Sequence, residues 1–306
     1  MAHNNHTIDH INKEYNTLYP DREAFLRLTD KFESKLDKPI IKKHDGIFVI
    51  REDLMGHGGT KVRAAEYLFS TIKEDTIVYC MPRVGHASAA VIKLAILYNK
   101  NVILFAPACK EMSNHQANSV RMLEEMPSHL YGKVIWRRIA AMPNLNRMAM
   151  NFAKENQYKF LPFGLDHPYT IAGFVRVCHD MLNSQWIQYP KTMSTVVSTG
   201  VLTRGLQIGF LDSNMQGVAV ARNMKSGELG RTKIQSDPLA FTAKEKQENL
   251  PPFDSVATYD AKAWKYIPKN PDKPVYFWNV AGEIELPKNF DKSNYNTYRD
   301  WNDESI

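Results

Sequence analysis

A lysine just after a glycine cluster is the residue of this sequence best placed for covalent chemistry. Lys61 lies in the stretch REDLMGHGGTKVRAAEYLF, residues 51–69, separated from Gly58 and Gly59 only by Thr60. The apolar residues that follow have helical spacing, so Lys61 is predicted to open a helix. The positive end of the helix dipole disfavours an ammonium ion and should lower its pKa. Such a lysine can form a Schiff base with an aldehyde; a solvated lysine on an amphipathic helix is the alternative interpretation.

Three further turns carry small or polar residues where a strand-like run gives way to a helix. They lie within residues 81–107 (MPRVGHASAAVIK onward), 161–178 (LPFGLDHPYTIAGFVRVC) and 196–210 (VVSTGVLTRGLQIGF). In the third turn, hydroxyl side chains and a glycine stand where the helix begins. Free backbone N–H groups at a helix N-terminus, together with hydroxyls, form a cradle for a phosphate. This turn therefore predicts a site for a phosphorylated ligand.

Strand-like and helix-like segments alternate along the chain, which predicts a doubly wound α/β architecture. Continuous aliphatic runs are typical of strands buried on both faces of a parallel sheet. Strands are predicted at residues 47–50, 76–80, 101–106, 133–137, 195–198, 217–221 and 274–279. Helices are predicted at residues 21–36, 60–73, 86–99, 114–126, 145–157, 170–184 and 203–213. The polar, proline-interrupted stretch 225–273 is predicted to be a long loop or lid.

The bulk composition limits the classes of protein to be considered. The 306 residues are 43% hydrophobic, enough for a large core in one or two domains. No apolar run approaches the ~18 residues of a membrane span, and the N-terminus lacks the pattern of a secretory signal. Three scattered cysteines predict neither a disulfide framework nor a zinc site, so we expect a cytoplasmic protein, in the host cytoplasm if it is viral. The net charge of +6 favours anionic partners such as phosphate cofactors or nucleic acid, or simply aids solubility.

Together these segments resemble the fold-type-II family of pyridoxal 5'-phosphate (PLP) enzymes, most of all aminocyclopropane-carboxylate (ACC) deaminase, D-cysteine desulfhydrase and the tryptophan synthase β subunit. The family pattern K-R-E-D…G-G-N-K-x-R is similar to IREDLMGHGGTKVR. The pattern P-x-G-G-S-x-P-x-G-x-x-G-Y aligns with residues 162–174, and the phosphate loop G-S-G-G-T-x-A-G-L aligns with STGVLTRGL, residues 198–206. PVYFWNVAGE, residues 274–283, stands where relatives have H-T-G-G near the pyridine nitrogen. The resemblance runs from about residue 40 to 285.

The resemblance implies PLP as cofactor and two doubly wound parallel-sheet lobes with the cofactor between them. Residues 41–70 and 160–285 would form the large PLP-binding lobe and residues 75–159 the small lobe. Residues 1–40 would be an N-terminal arm and helix packing on the large lobe, and residues 286–306 a C-terminal tail. Relatives are commonly dimers, so a homodimer is implied as well.

The resemblance also implies the role of each site residue. Lys61 would form the Schiff base with PLP and move the proton at the substrate's α-carbon. The cofactor-binding residues would be Gly85, Ser198, Thr199, Gly200, Val201, Leu202, Thr203 and Asn279. The substrate-binding residues would be Arg83, His86, Ser88, Asp166 and His167. No metal is expected.

The sequence departs from the family at three positions. Gly85 replaces an asparagine beside the phenolic oxygen of the cofactor, and Val201 replaces a glycine of the phosphate loop. Val280, beside Asn279, stands where relatives place a hydroxyl against the pyridine nitrogen. A weak hydrogen-bond partner at this position leaves the pyridine nitrogen unprotonated, so a carbanion at the α-carbon of the substrate is less delocalised into the ring. The reaction then needs less of an electron sink, or the substrate is unusual, or catalysis has been lost.

Three functions are therefore considered. The first is a PLP enzyme acting at the α-carbon of an amino-acid-type substrate by deamination, elimination or decarboxylation. The second is a PLP-dependent decarboxylase or lyase acting on an amino acid attached to a thymine base, as in phage DNA hypermodification. The basic pI and the arginines Arg83 and Arg204 favour it, with residues 225–273 holding the DNA strand. The third is a degenerate, non-catalytic binding protein.

Overall fold

The chain divides into two compact units. The computed structural model describes residues 22–139, 141–221, 224, 228–268, 273–292 and 297. Unit 1 takes in Met1–Leu68 and Asp166–Glu283, and unit 2 takes in Phe69–Leu165 and Ile284–Ile306. Among the described residues no helix is both long and apolar enough to span a bilayer.

Unit 1 is built on a six-stranded sheet in the order β1-β2-β10-β7-β8-β9. Its strands are β1 (Ile41–His44), β2 (Ile47–Arg51), β7 (Thr192–Val197), β8 (Asn214–Ala219), β9 (Lys233–Ser236) and β10 (Val275–Asn279). β1 and β2 form an antiparallel hairpin, and every other neighbouring pair is parallel. The hairpin turn is Asp45-Gly46, with both φ angles positive, as a two-residue type I′ turn requires.

Helices cover both faces of this sheet. They are α1 (Arg22–Leu28), α2 (Thr60–Thr71), which runs into unit 2, α6 (Pro168–Asn183), α7 (Val201–Gly209) and α8 (Ala261–Trp264), with short 3₁₀ turns at Glu52–Met55 and Gln247–Asn249. Side chains alternate along β10, so Trp278 packs with the α6–α7 cluster and Phe277 with the α8 cluster. Each face of the central strands therefore has its own apolar layer, as expected for a doubly wound sheet.

The described part of the stretch 225–273 is largely irregular, but it is not one continuous loop, and to that extent the prediction is wrong. It contributes strand β9 to the sheet and helix α8 to one of the two cores. Trp264 and Ile267 are buried there, and Trp264 packs 6.1 Å from the ring of Phe277. Apolar side chains are few in this stretch, but the described ones anchor it to the sheet.

Unit 2 is built on a four-stranded, fully parallel sheet in the order β5-β4-β3-β6. Its elements are β3 (Thr76–Cys80), α3 (Ala87–Leu97), β4 (Asn101–Pro107), α4 (Asn114–Glu124), β5 (Gly132–Arg137), α5 (Met142–Glu155), β6 (Lys159–Leu161) and a 3₁₀ turn at Phe163–Leu165. α5 packs on the face that carries Ile135, whereas Val134 and Trp136 on the opposite face pack with α4. Leu286 and Phe290 from the C-terminal segment join that second cluster, so this segment docks on unit 2.

All the predicted strands are present, and the differences are local. The predicted strands 195–198 and 217–221 begin three residues earlier, because the polar first residues of β7 and β8 hide their strand character. The predicted helix 21–36 ends at Leu28, and residue 21 lies outside the described residues. Strands β1, β6 and β9 were not predicted, since each is only three or four residues long.

Candidate functional site

One edge of the unit 1 sheet gathers three segments that the sequence singled out. The parallel strands β2, β10 and β7 lie side by side and end at the same edge. They are followed, respectively, by the turn to Lys61, by Val280, and by the loop that begins at Ser198. Neighbouring strands are ~4.8 Å apart, so β2 and β7 are separated by about 10 Å. The carboxyl edge of an open parallel sheet is where such folds bind ligands.

The start of α2 is fastened to the end of β10. The Thr60 N–H donates to the Val280 carbonyl at 2.8 Å, and the Trp278 indole N–H donates to the Thr60 hydroxyl at 2.9 Å. Gly59 has φ +51°, and a Cβ there would overlap the Val280 carbonyl and lie 2.9 Å from the Ala281 Cβ. Only glycine fits this approach, which sets the position of the helix start and so of Lys61.

The Lys61 side chain is half-buried, and burial lowers the pKa of Lys61 to about 8. The cause is desolvation, which penalises the ammonium form; its place in the first turn of α2 acts in the same direction. A substantial fraction of the amine is therefore neutral near pH 8, whereas an ordinary lysine is almost fully protonated there. A lowered pKa is one of the features that make a lysine suited to act as a covalent nucleophile.

This pKa gives a pH-dependent expectation. A folded-state pKa of about 8, against an ordinary 10.5, means that Lys61 loses its proton as the pH rises through about 8. Mixing the protein with PLP at a series of pH values should show the rate of covalent attachment rising and levelling off above about pH 8. A rate that kept rising towards pH 10.5 would show that an ordinary surface lysine was reacting. Because the unfolded lysine keeps its proton up to 10.5, stability should also rise between about pH 8 and 10.5.

A buried polar network lies behind this edge. The Arg51 guanidinium donates to the Asp53 carboxylate through Nε at 2.8 Å and through a terminal nitrogen at 2.6 Å. The Asn279 amide donates to Asp53 at 2.7 Å and to the Asp254 carbonyl at 2.9 Å, and it accepts from the Ser255 hydroxyl at 2.8 Å. Asn279 is fully buried and both its amide hydrogens are used here, so its described role is to hold the end of β10.

The loop 198–203 has the geometry of an anion cradle. Gly200 caps α7 with φ +84°, and a Cβ there would lie 2.5 Å from the Leu229 side chain. The N–H groups of Val201, Leu202 and Thr203 belong to the first turn, where no carbonyl of the helix itself can accept them. The Thr203 hydroxyl is buried and has no hydrogen-bond partner among the described residues. This donor set fits a phosphate group.

Two residues predicted to bind substrate, Asp166 and His167, hydrogen-bond neighbouring groups of the protein. The Asp166 carboxylate accepts two hydrogen bonds from Arg204, at 2.8 and 2.9 Å. The same guanidinium reaches the Thr199 carbonyl at 3.5 Å, so Arg204 brings its charge beside the loop. His167 caps α6, where its Nδ1 accepts from the Tyr169 N–H at 3.1 Å. Contact of Asp166 or His167 with a substrate stays a prediction.

Comparison with solved structures identifies the fold. An ACC deaminase homologue superposes with a TM-score of 0.62 at 17% identity, covering 85% of this chain and 95% of the other. Apo diaminopropionate ammonia lyase of Escherichia coli gives 0.61 at 12% identity, with 88% and 89% covered. Maize serine racemase gives 0.59 at 14% identity, with 91% and 94% covered. The chain has the fold of the fold-type-II PLP enzymes. No family model and no curated protein sequence matches it.

Within this fold-type-II architecture, the structure adds two residues that the sequence did not indicate. Tyr259 lies beside the Ser198 hydroxyl at the start of the loop 198–203, and burial raises the pKa of its phenol. Asp260 is fully buried, and its carboxyl accepts from the Ala281 N–H at 3.0 Å; burial raises the pKa of Asp260 well above its usual range. The two neighbours thus lie beside the end of β7 and the end of β10, respectively. Their partners are distant in the sequence, so no local pattern reveals them.

The site residues predicted in unit 2 follow strand β3. Gly85 has φ +125° with open space where a Cβ would stand, and Arg83 is exposed and donates to the Glu111 carbonyl at 3.3 Å. His86 packs 5.1 Å from the ring of His115, and burial lowers the pKa of His115 to about 4. The Ser88 hydroxyl is buried, 2.8 Å from that of Ser119. Contacts of Arg83, Gly85, His86 and Ser88 with ligands stay predictions. The described residues contain no cluster of His, Cys, Asp or Glu suited to a metal ion.

Proposed function

We propose that the protein is a PLP-dependent enzyme that acts at the α-carbon of an amino-acid-type substrate. The observation that carries this proposal is a lysine with its pKa lowered to about 8 at the same sheet edge as a phosphate cradle, within one unit. Structures of the same fold include a diaminopropionate ammonia lyase, threonine deaminases and serine racemase. These names support an amino-acid substrate and leave the reaction open among deamination, elimination and decarboxylation.

The residues of unit 1 would divide the work between binding and proton transfer. The first-turn N–H groups of α7 and the Thr203 hydroxyl would hold the phosphate, and Lys61 Nζ would bind the aldehyde carbon. When bound, PLP supplies an electron sink for the α-carbon of the substrate. Lys61 Nζ would then take up and return a proton at that carbon, because its lowered pKa suits it to exchange protons near neutral pH.

The residue at the position expected to face the pyridine nitrogen favours reactions that need little stabilisation of the α-carbanion. Val280 has an apolar side chain, and its carbonyl accepts the N–H of Thr60. Its neighbour Asn279 is held in the buried network with Asp53 and Ser255. With little to stabilise a protonated ring nitrogen, we favour reactions in which the α-carbanion is short-lived, such as elimination of a leaving group from the β-carbon.

The experiment that tests this function is α-proton exchange in heavy water. The protein loaded with PLP is incubated with a panel of amino acids, and the Cα–H signal of each is followed by proton NMR, together with any keto acid or ammonia released. We expect one substrate class to lose its Cα–H signal or to be converted to product. If PLP binds but no amino acid exchanges or reacts, action on free amino acids is contradicted, and a substrate attached to a larger molecule must be tested.

A conservative change at Thr203 separates the binding role from a structural one. Thr203→Val removes a buried hydroxyl that has no partner among the described residues. The variant without PLP should be more stable than the wild type by ~1 kcal/mol, because an unsatisfied polar group is replaced by an apolar one of similar shape. Its affinity for PLP should fall, because one phosphate donor is lost. Thermal unfolding and PLP titration check both; a variant that was less stable without PLP would show that the hydroxyl is structural.

A second candidate function is the same chemistry on an amino acid attached to a nucleic-acid base. The observation that favours it is the distribution of charge, since the net charge of +6 resides entirely in residues 69–165. A strand of nucleic acid would be drawn to that part of the chain. Salt-sensitive DNA binding is expected on this reading, and an active enzyme without affinity for DNA at low salt would contradict it.

A further inference from the structure

The positive charge of the protein is concentrated in one span of unit 2. Residues 69–165 hold twelve lysines and arginines but six aspartates and glutamates, and the rest of the chain is balanced. Within residues 126–165 the imbalance is greater, with six basic residues and Glu155 as the one acid. This shorter span consists mainly of strand β5, helix α5 and strand β6.

Strand β5 directs its basic residues to one face of the sheet. Ile135 packs in the α5 cluster, and side chains alternate along a strand, so Lys133 and Arg137 lie on that face too. The Arg137 guanidinium lies 5.9 Å from the ring centre of Phe105, a member of the same cluster. Tyr131 stands just before the strand, two residues from Lys133, and is 50% exposed. The Lys133 amine lies 5.8 Å from the centre of the Tyr131 ring.

Helix α5 lies on the same side of the sheet, mainly over β3, β4 and β6, so it leaves the β5 edge uncovered, and it adds two more charges. Leu145 and Ala149 are buried against the sheet, whereas Arg147 and Lys154 are exposed on the outer side. Arg147 and Lys154 are seven residues apart, which is two helical turns or ~10.5 Å along one stripe. No salt bridge to Lys133, Arg147 or Lys154 occurs among the described residues. β5 is also an edge strand, so nothing in this sheet continues beyond it.

We propose that this basic face, formed by Tyr131, Lys133, Arg137, Arg147 and Lys154, binds a strand of nucleic acid. The cations would neutralise successive phosphates, which releases counterions and makes the binding dependent on salt. The half-exposed ring of Tyr131, set beside Lys133, offers a surface on which an unpaired base can stack. This ring favours single-stranded nucleic acid over a membrane surface or an acidic peptide. The inference deepens the second candidate function, and binding at this face needs no cofactor.

The test compares two triple variants of equal charge change in the full chain. The face variant carries Lys133→Glu, Arg147→Glu and Lys154→Glu. The control variant carries Lys191→Glu, Lys244→Glu and Lys246→Glu, three exposed lysines of unit 1. The probe is a fluorescein-labelled single-stranded oligonucleotide of about 20 nucleotides, a length that spans the site of one binding domain. Anisotropy is measured at several salt concentrations between about 50 and 200 mM, and circular dichroism and PLP absorption are recorded for all three proteins.

We expect the face variant to lose at least ~10-fold in affinity at the lowest salt, and the control variant to lose much less. The salt dependence of the face variant should also be shallower, by roughly 0.7 in log–log slope for each phosphate contact removed. Equal losses in both variants would mean diffuse attraction and would overturn the proposal. So would a wild type that binds no oligonucleotide at the lowest salt, or one that binds only phosphatidylserine vesicles. The two proposals fail separately. If the face variant loses oligonucleotide affinity but keeps normal PLP absorption, the nucleic-acid face is independent of the cofactor site. If the wild type binds the oligonucleotide but shows no PLP absorption, the cofactor proposal fails and this inference stands.

Part of the loss in the face variant will come from repulsion between the three new carboxylates and the phosphates, so the loss of the cations must be measured separately. A second variant with glutamine at the same three positions keeps the side chains polar and of similar length. We expect it to show an intermediate loss of affinity with an unchanged unfolding temperature. Unchanged oligonucleotide binding by a folded glutamine variant would contradict a role for these three cations.

Discussion

Replacing Lys61 by alanine should lower the rate of α-proton exchange on the substrate by about 10³-fold or more, while the protein remains folded. The expected loss is large because one amine both binds the cofactor covalently and moves the proton, and general acid–base catalysis alone contributes roughly 10²- to 10⁴-fold. The side chain is half-buried and carries a depressed pKa, so its removal should not unfold the protein. Exchange measured by NMR at saturating PLP is the test.

Lys73→Ala is the matched control for this prediction. Lys73 is an exposed lysine beyond the end of α2. Its replacement removes one lysine amine from the protein but leaves the candidate site unchanged. Its exchange rate should equal that of the wild type. A Lys61→Ala protein that bound PLP with the same absorption and exchanged protons within tenfold of the wild type would contradict the role given to Lys61.

The second large effect is on stability and concerns the glycine that seats this lysine. Gly59→Ala should destabilise the protein by about 2–5 kcal/mol. A left-handed backbone costs a non-glycine residue roughly 1–2 kcal/mol, and the new Cβ, which would overlap the Val280 carbonyl, adds about 1–3 kcal/mol of overpacking. Because Thr60 donates to the same carbonyl, relief of the overlap must move the start of α2. PLP affinity should therefore fall as well.

Gly56→Ala provides a comparison at a glycine of the same turn that lacks the steric contact. Gly56 also has a positive φ, +79°, but a Cβ there would have no neighbour within 4 Å. Its φ of +79° and ψ of −148° lie in a region essentially reserved for glycine, so the change should cost about 1–3 kcal/mol and leave PLP affinity unchanged. Urea unfolding of both variants gives the difference. Unchanged PLP affinity and a cost below about 2 kcal/mol for Gly59→Ala would show that the contact of Gly59 with Val280 does not constrain the helix start.

What the sequence predicted well is local in nature. A glycine-rich turn before a helix, with a lysine in its first turn, can be read from consecutive residues, and the structure has α2 beginning at Thr60. The turn before α7 is predictable for the same reason, since its free N–H groups belong to one helix start, and phosphate binding there stays a prediction. The continuous aliphatic runs of β3 and β4 likewise predict buried parallel strands, and both strands are present.

What the sequence could not predict depends on partners distant along the chain. Residues 225–273 look solvated because of their charges and prolines. In the structure the Lys265 amine pairs with Asp237 at 2.9 Å and with Glu245 at 2.5 Å, and both carboxylates are buried. A charge paired in this way does not prevent burial, so composition misleads here. Asp260 was overlooked for a related reason: its hydrogen-bond donor is the backbone of Ala281, which no side-chain pattern encodes.

The most direct test of the central claim is to find where PLP becomes attached. The protein is incubated with PLP at pH about 8, close to the pKa of Lys61, and reduced with borohydride. It is then digested, and the phosphopyridoxyl-modified peptides are identified by mass spectrometry. We predict stoichiometric modification of the peptide containing Lys61, preceded by a visible absorption band that Lys61→Ala lacks. Label spread thinly over many surface lysines, or an unmodified Lys61, would contradict the proposal that Lys61 holds the cofactor.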